Sequence, residues 1–121
     1  MNYQLNKVND VEYVEILPDG GVVTSERDAL DLVSACGENL TPRLMLYAEN
    51  LSPEFFDLKT RLAGEVLLKL SNYRIKLAAV LTPELVGEGR FAEMVMEANR
   101  RNREFHVFYD RAEAEAWLVA E

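Results

Sequence analysis

Cysteine and histidine each occur once in this chain of 121 residues. A single cysteine cannot form an internal disulfide, and one cysteine with one histidine cannot supply the ligands of a structural zinc site. Cys36 falls on the apolar stripe of a predicted helix, together with Ala29, Leu32 and Val33, which favours a packing role over a reactive thiol. We therefore expect neither a bound metal nor a cofactor.

Basic side chains are also scarce, because 13 Lys and Arg stand against 21 Asp and Glu, a net charge of −8. Such an acidic chain is a poor partner for nucleic acid or for an anionic membrane surface. The longest apolar run, Leu77–Leu81, is far shorter than the roughly 20 residues that span a bilayer. The first residues have neither the basic start nor the apolar stretch of a signal peptide. We therefore expect a cytoplasmic protein.

What is present is the pattern of an ordinary globular domain, with 49% hydrophobic and 28% charged residues. Strands are predicted at 5–8, 11–16, 43–48, 75–81 and 105–109, with a short one possible at 22–23, and helices after Ser25, after Ser52, near 90–102 and after Asp110. This order predicts an α/β fold in a single domain, residues 1–121, with a mixed, mostly parallel sheet, an N-terminal hairpin at one edge and helices on the sheet faces. A slip in the alternation between Tyr13 and Val14 predicts either a β-bulge or a loosely specified edge there.

The candidate site is the segment Asp57–Glu65, hereafter the polar segment. If the helix begins after Ser52, then Asp57, Arg61 and Glu65 lie four residues apart on one exposed face, beside Lys59 and Thr60. That face is either a ladder of i, i+4 ion pairs or a recognition surface. Gly64 favours recognition, because a glycine inside a helix often permits a close approach.

Four further features were weighed as functional candidates. Asn72 and Arg74 either form the turn after this helix, with Asn72 in the left-handed conformation, or contribute to binding. The loop Gly87–Arg90 has too few glycines, and no lysine, for a phosphate-binding loop. His106, inside an apolar strand, is interpreted as structural, and the arginines at 100, 101 and 103 complement a helix C-terminus rather than form a nucleic-acid patch.

Several sequence blocks resemble a known family between Leu30 and Leu81. They are Ala29-Leu30-Asp31-Leu32, the run Glu49 to Thr60 with its Phe-Phe-Asp-Leu-Lys-Thr block, Leu62-Ala63-Gly64-Glu65, and Ser71-Asn72-Tyr73-Arg74. The chain in this region resembles the uncharacterised bacterial family DUF4180, a domain of unknown function. The likeness implies a fold but no reaction.

A looser resemblance connects the chain with proteins similar to the sporulation anti-sigma-factor antagonist, which have the STAS fold. It is carried by Asp57-Leu58-Lys59, Arg74-Ile75 and Ala114-Glu115-Ala116-Trp117-Leu118. In STAS regulators a phosphorylatable serine lies where the central strand meets the next helix. The resemblance implies that Ser52, at such a junction, is a phosphorylation site, whereas the residues themselves, with Pro53 next and Glu54 in the first turn, predict a helix N-cap.

These observations lead to two functional hypotheses and a third, purely structural one. The first is a non-enzymatic regulatory or protein-interaction module, a homodimer or the partner of another protein. It would make contact through the face from Phe55 to Glu65 and through Asn72–Arg74. The second is a small-molecule-binding protein or minor enzyme with a polar pocket near the same helix. In the third, the polar segment only stabilises the fold.

Overall fold

A five-stranded sheet forms the centre of the computed structural model, which describes residues 1–120. The strands are β1 (Tyr3–Val8), β2 (Val11–Ile16), β3 (Arg43–Tyr47), β4 (Lys76–Val80) and β5 (Phe105–Phe108). They are adjacent in chain order, with β1 antiparallel to β2 and the remaining pairs parallel. The predicted mixed, mostly parallel sheet with an N-terminal hairpin at its edge is confirmed.

Helices cover both faces of this sheet. The helices are α1 (Glu26–Glu38), α2 (Leu62–Asn72), α3 (Pro83–Val86), α4 (Arg90–Arg101) and α5 (Arg111–Val119), and single 3₁₀ turns lie at Ala48–Asn50, Pro53–Phe56 and Leu58–Thr60. Apolar side chains of α1, α2 and α4 share one core with one face of the sheet, and those of α5 form a smaller core on the opposite face. Among the described residues, no helix has the length and apolar character needed to cross a membrane.

The larger core holds the cysteine. Cys36 is buried in α1, and burial raises the pKa of its thiol to about 12. The reactive thiolate is therefore not formed near neutral pH, and Cys36 acts as a packing residue.

Neither the β-bulge nor the loosely specified edge predicted at Tyr13 and Val14 is present, because β2 pairs with both β1 and β3. The pairing of β1 with β2 is continuous from Tyr3 opposite Ile16 to Val8 opposite Val11. Residues 13–16 are all buried, because β2 lies inside the sheet with helices on both sides. The slip in hydrophobic alternation reflects burial of both faces and not an extra residue.

Charged side chains of the sheet meet both ends of α5. Near its N-terminus the carboxylate of Glu15 binds Arg111. At its C-terminus Arg43 Nε donates to the carbonyl oxygen of Leu118 (2.8 Å) and Lys76 Nζ donates to that of Trp117 (2.7 Å). An anion at the first turn and cations at the last complement the helix dipole. The sheet therefore holds α5 by charge as well as by its small apolar core.

A side chain of α4 closes the outer edge of β5. The amide of Asn99 accepts from Val107 N (2.8 Å) and donates to Val107 O (3.3 Å). These two bonds satisfy the backbone N–H and carbonyl groups of Val107, which a further strand would otherwise bind. The open edge of the sheet is thus partly satisfied by one residue.

Asn99→Ala is expected to lower the free energy of unfolding by about 2 kcal/mol, because it leaves two backbone groups of Val107 without a protein partner. Urea unfolding followed by circular dichroism measures the change. Asn72→Ala, at an exposed position at the end of α2, is the control and should stay within about 0.5 kcal/mol of the parent. Equal effects of the two substitutions would show that the Asn99 bonds contribute nothing to stability.

Candidate functional site

The polar segment is not one continuous helix. After the turn Pro53–Phe56, Asp57 has extended backbone, a second turn spans Leu58–Thr60, and α2 begins only at Leu62. The predicted helical face joining Asp57, Arg61 and Glu65 is therefore wrong, and so is the ladder of ion pairs along it.

Short polar side chains explain the interruption. Asp57 Oδ1 accepts from Lys59 N (3.1 Å), and Thr60 Oγ1 lies 2.6 Å from the carbonyl oxygen of Glu54 and 2.8 Å from that of Asp57. Such local bonds compete with the hydrogen bonds of a continuous helix. Arg61 then adopts a left-handed backbone with φ 67°, which turns the chain into α2.

Arg61→Gly is expected to raise the free energy of unfolding by about 1 kcal/mol, because glycine adopts positive φ without the steric cost that a Cβ imposes. Arg61→Ala removes the same guanidinium but keeps the Cβ, so it should leave stability within about 0.5 kcal/mol of the parent. Urea unfolding of the three proteins gives the comparison. A gain in both variants would instead place the cost in the arginine side chain.

The predicted site residues separate into two groups at opposite ends of α2. The polar segment, which supplies Asp57, Lys59, Thr60, Arg61, Gly64 and Glu65, is at its N-terminal end, and all six of these residues are exposed. Asn72 and Arg74 are exposed near its C-terminal end, roughly 16 Å away along an 11-residue helix. The structure does not bring the two groups together.

Two details of the predicted site are also corrected. The left-handed residue after α2 is Arg74, with φ 57°, and Asn72 is the last residue of the helix. Apart from its two chain neighbours and the adjacent backbone of α2, nothing in residues 1–120 lies within 4 Å of the position that a Cβ on Gly64 would occupy. Gly64 therefore does not serve a close approach within this chain.

Part of the polar segment lines a small cavity at the carboxyl ends of the strands. This strand-end cavity has a volume of about 290 Å³ and lies between residues 56–59 and 85–91. It brings Asp57 and Lys59 together with Glu88 and Arg90 of the glycine-containing loop. The carboxyl edge of a parallel sheet is where ligands of α/β proteins usually bind.

A much larger depression lies between α2 and α4, hereafter the α2–α4 groove. Its volume is about 990 Å³. Apolar residues line most of it, with Leu77 and Phe105 from the sheet, Ile75 just before β4, and Leu67 and Met94 from the two helices. It opens near the amino ends of β4 and β5, away from the strand-end cavity.

Charged side chains gather at one end of the α2–α4 groove. Arg100, Arg101 and Arg103 line it with Glu97 and Glu104. Glu97 pairs with both Arg100 and Arg101 (3.2 Å to Arg101), and Glu104 accepts from the hydroxyl of Ser71 (2.6 Å). Within residues 1–120, no carboxylate forms an ion pair with Arg103. This end of the groove carries one more cation than anions.

Ser52 lies at the predicted N-cap position, but its side chain does not cap the turn. It occupies the N-cap position of the turn Pro53–Phe56, but its hydroxyl makes no capping bond. Its side chain is buried, and within residues 1–120 its Oγ has no hydrogen-bond partner. The predicted side-chain N-cap is therefore wrong. Phosphorylation of Ser52 remains a prediction, and it would require this segment to open.

Sequence reasoning missed a polar network that connects β2, β3 and α5. Glu15, with 6% of its surface exposed, accepts from Arg111 Nε (3.0 Å), Arg111 Nη2 (3.1 Å) and Asn6 Nδ2 (2.7 Å), and also from the Tyr47 hydroxyl. Tyr13 accepts from Arg111 Nη2 (3.1 Å) and donates to Glu115. One available signal was the position of Glu15 in a predicted strand, between the apolar residues Val14 and Ile16.

Hydrogen bonds within the chain stabilise the charged form of Glu15 in this network. Hydrogen bonds from Arg111 hold the pKa of Glu15 at about 2, against the opposing effect of burial. Burial and the bond to Glu15 raise the pKa of Tyr47 to about 12. Both carboxylate oxygens of Glu15 are occupied by protein donors, so the arrangement suits fastening α5 to the sheet rather than acid–base chemistry. Among residues 1–120, no three His, Cys, Asp or Glu side chains cluster closely enough to hold a metal ion.

Comparison with known proteins extends the family resemblance well beyond the blocks at 30–81. The family model described as domain of unknown function (DUF4180) matches residues 8–118, which includes the hairpin turn, all four larger helices and every strand from β2 to β5. Searches of curated proteins and of solved structures return no match. The likeness to STAS regulators therefore stays a prediction. The chain belongs to the family DUF4180.

Proposed function

We propose that this chain is a non-enzymatic binding module whose contact surface is the α2–α4 groove. The proposal keeps the interaction role expected from the sequence and moves the surface away from the polar segment. It includes the cytoplasmic location expected from the sequence composition. It also includes the regulatory role that the STAS resemblance implies.

The observation that carries the proposal is the groove itself. A concave, mainly apolar surface of about 990 Å³ with a few polar groups at one end is the usual form of a binding site. Leu68, on its α2 side, keeps 63% of its surface exposed. Leaving such apolar area in water is unfavourable, and a bound partner would remove that cost. In the ion pair Glu15–Arg111, both carboxylate oxygens of Glu15 are already engaged within the chain.

The test uses the purified chain and indole as an apolar probe, followed by two-dimensional NMR. We expect indole to shift the resonances of Leu67, Met94 and Ala98, which line the groove. Leu68→Glu should abolish these shifts, because it places a charge on the apolar wall. Met96→Glu is the matched control, since Met96 lies on α4 with 70% exposure but outside the groove. Shifts spread evenly over the surface, or equal effects of the two variants, would contradict the proposal.

The strand-end cavity supports a second candidate, a small-ligand site. It is favoured by the meeting of Asp57 and Lys59 with Glu88 and Arg90 around one space. In the same titration this candidate predicts shifts at Phe56 and Phe91, which line that cavity, and none at Met94. Such a result would transfer the binding role to the strand-end cavity.

A further inference from the structure

We infer that the occupant of the α2–α4 groove is a short amphipathic α-helix of another protein, with acidic residues at the end that meets Arg103. This inference rests on the proposed binding role of the groove and adds the kind of partner. Three properties of the groove carry it: its size, the arrangement of its walls and the charge at one end.

The size of the groove matches a short helix. Two helical turns form a cylinder about 11 Å long and about 10 Å wide, or roughly 800 Å³. The open groove has a volume of about 990 Å³, which is of the same order as a two-turn helical segment. A single acyl chain or a small aromatic molecule is much thinner and would fill only part of this volume.

The walls of the groove have the form of a helix-packing surface. On α4 the lining residues Met94, Ala98 and Arg101 follow the i, i+4, i+7 spacing of one helical stripe. The facing wall on α2 carries Leu67 and Leu68. A third helix laid between α2 and α4 would complete a layer in which side-chain ridges fit the neighbouring grooves. An apolar stripe of the partner would meet this floor, as in other helix-in-groove complexes.

The charge at one end of the groove determines which charge the partner carries at that end. Arg100 and Arg101 share the carboxylate of Glu97, whereas Arg103 is exposed and forms no ion pair within residues 1–120. A carboxylate of a bound helix could reach Arg103 and pair with it in bidentate geometry. A lysine at the same place would meet the net positive charge of this end, where the three arginines exceed Glu97 and Glu104 by one. In a chain of net charge −8, this local cationic end is a specific feature.

The experiment compares two synthetic peptides of about 14 residues, long enough for appreciable helix formation. Both carry leucines at i, i+3, i+4 and i+7 and blocked termini, and they differ only in having glutamates or lysines in the last turn. NMR titration of the purified chain gives the binding site and the dissociation constant. We expect both peptides to shift groove resonances, and the glutamate peptide to bind about fivefold more tightly.

Variants of the chain test the apolar wall and the cationic end of the groove separately. Leu68→Glu should weaken both peptides by more than about tenfold, while Met96→Glu should leave both unchanged. Arg103→Glu should remove or reverse the preference for glutamate. Lys7→Glu, an exposed position on β1, makes the same change in net charge at the far edge of the sheet and should preserve it. Circular dichroism and thermal unfolding confirm that each variant is folded.

Each failure has its own meaning. Binding of both peptides in the groove with no difference in affinity would overturn the acidic character of the partner and leave the proposed function intact. Groove shifts with indole but with neither peptide would overturn the helical partner. A purified chain that is dimeric, and that Leu68→Glu makes monomeric, would replace the foreign helix with a second copy of the chain. Absence of groove shifts with every probe would overturn the proposed function as well.

Discussion

Glu15→Gln is expected to lower the free energy of unfolding by about 3 kcal/mol at pH 7. The carboxylate is 6% exposed and accepts bonds from Arg111, Tyr47 and Asn6. Glutamine presents an amide N–H where an acceptor is needed, so at least one donor of Arg111 loses its partner. Urea unfolding at pH 7 measures the loss.

The pairing of Glu15 with Arg111 also makes the free energy of unfolding depend on pH in a defined range. Bonding to Arg111 lowers the pKa of Glu15 from 4.5 to about 2 in the folded chain. A carboxyl group whose pKa is depressed by folding stabilises the fold above the unfolded value, and the contribution disappears as the pH falls to the folded value. The difference in stability between the parent and Glu15→Gln should therefore be constant above about pH 5 and shrink progressively between pH 4.5 and pH 2.

Two further variants isolate the ion pair. Glu12→Gln changes an exposed carboxylate on the same strand and should cost less than about 0.5 kcal/mol at pH 7. Arg111→Gln combined with Glu15→Gln should lose much less than the sum of the two single changes, because each single change already removes the pair. Additive losses would show that Glu15 and Arg111 act independently.

Phe55→Ala is expected to lower the free energy of unfolding by about 4 kcal/mol, the largest effect of any substitution in the Phe-Phe-Asp-Leu-Lys-Thr block. Phe55 is 1% exposed and packs edge-to-face with Phe56 and Phe91, at centroid distances of 5.8 and 6.1 Å. Removing the ring leaves a cavity beneath the polar segment and loses the contact with α4. Urea unfolding measures the change.

The control is Phe56→Ala, because Phe56 is only partly buried although it also contacts Phe91. It should cost about half as much. Asp57→Asn, at the adjacent exposed position, should stay within about 0.5 kcal/mol of the parent. If Phe55→Ala were as mild as Asp57→Asn, the block would not be part of the core, and its role would lie outside the fold.

The sequence predicted those parts of the fold that depend on local pattern. Apolar runs such as Leu44–Leu46 identify the buried strands, and Asp110 followed by Glu113 marks the start of α5, which begins at Arg111. The order of these elements is enough to predict the arrangement of the sheet.

The candidate site was less predictable, for two physical reasons. The spacing of Asp57 and Arg61 is typical of a helix, but bonds from Asp57 and Thr60 to nearby backbone groups are equally local and oppose it. The pairing of Glu15 with Arg111 joins residues 96 positions apart, and no local pattern specifies such a contact. The α2–α4 groove likewise exists only because the two helices stand apart in three dimensions.

The closure of β5 by Asn99 has a consequence for the order of folding. Asn99 belongs to α4, so the bonds to Val107 form only when that helix has docked on the sheet. A folding intermediate with β5 already paired to β4, but α4 still undocked, would expose an unprotected strand edge to other chains. The yield of refolded protein should therefore decrease as the protein concentration during refolding is raised. The native protein, in which Asn99 binds Val107, should associate less through β5.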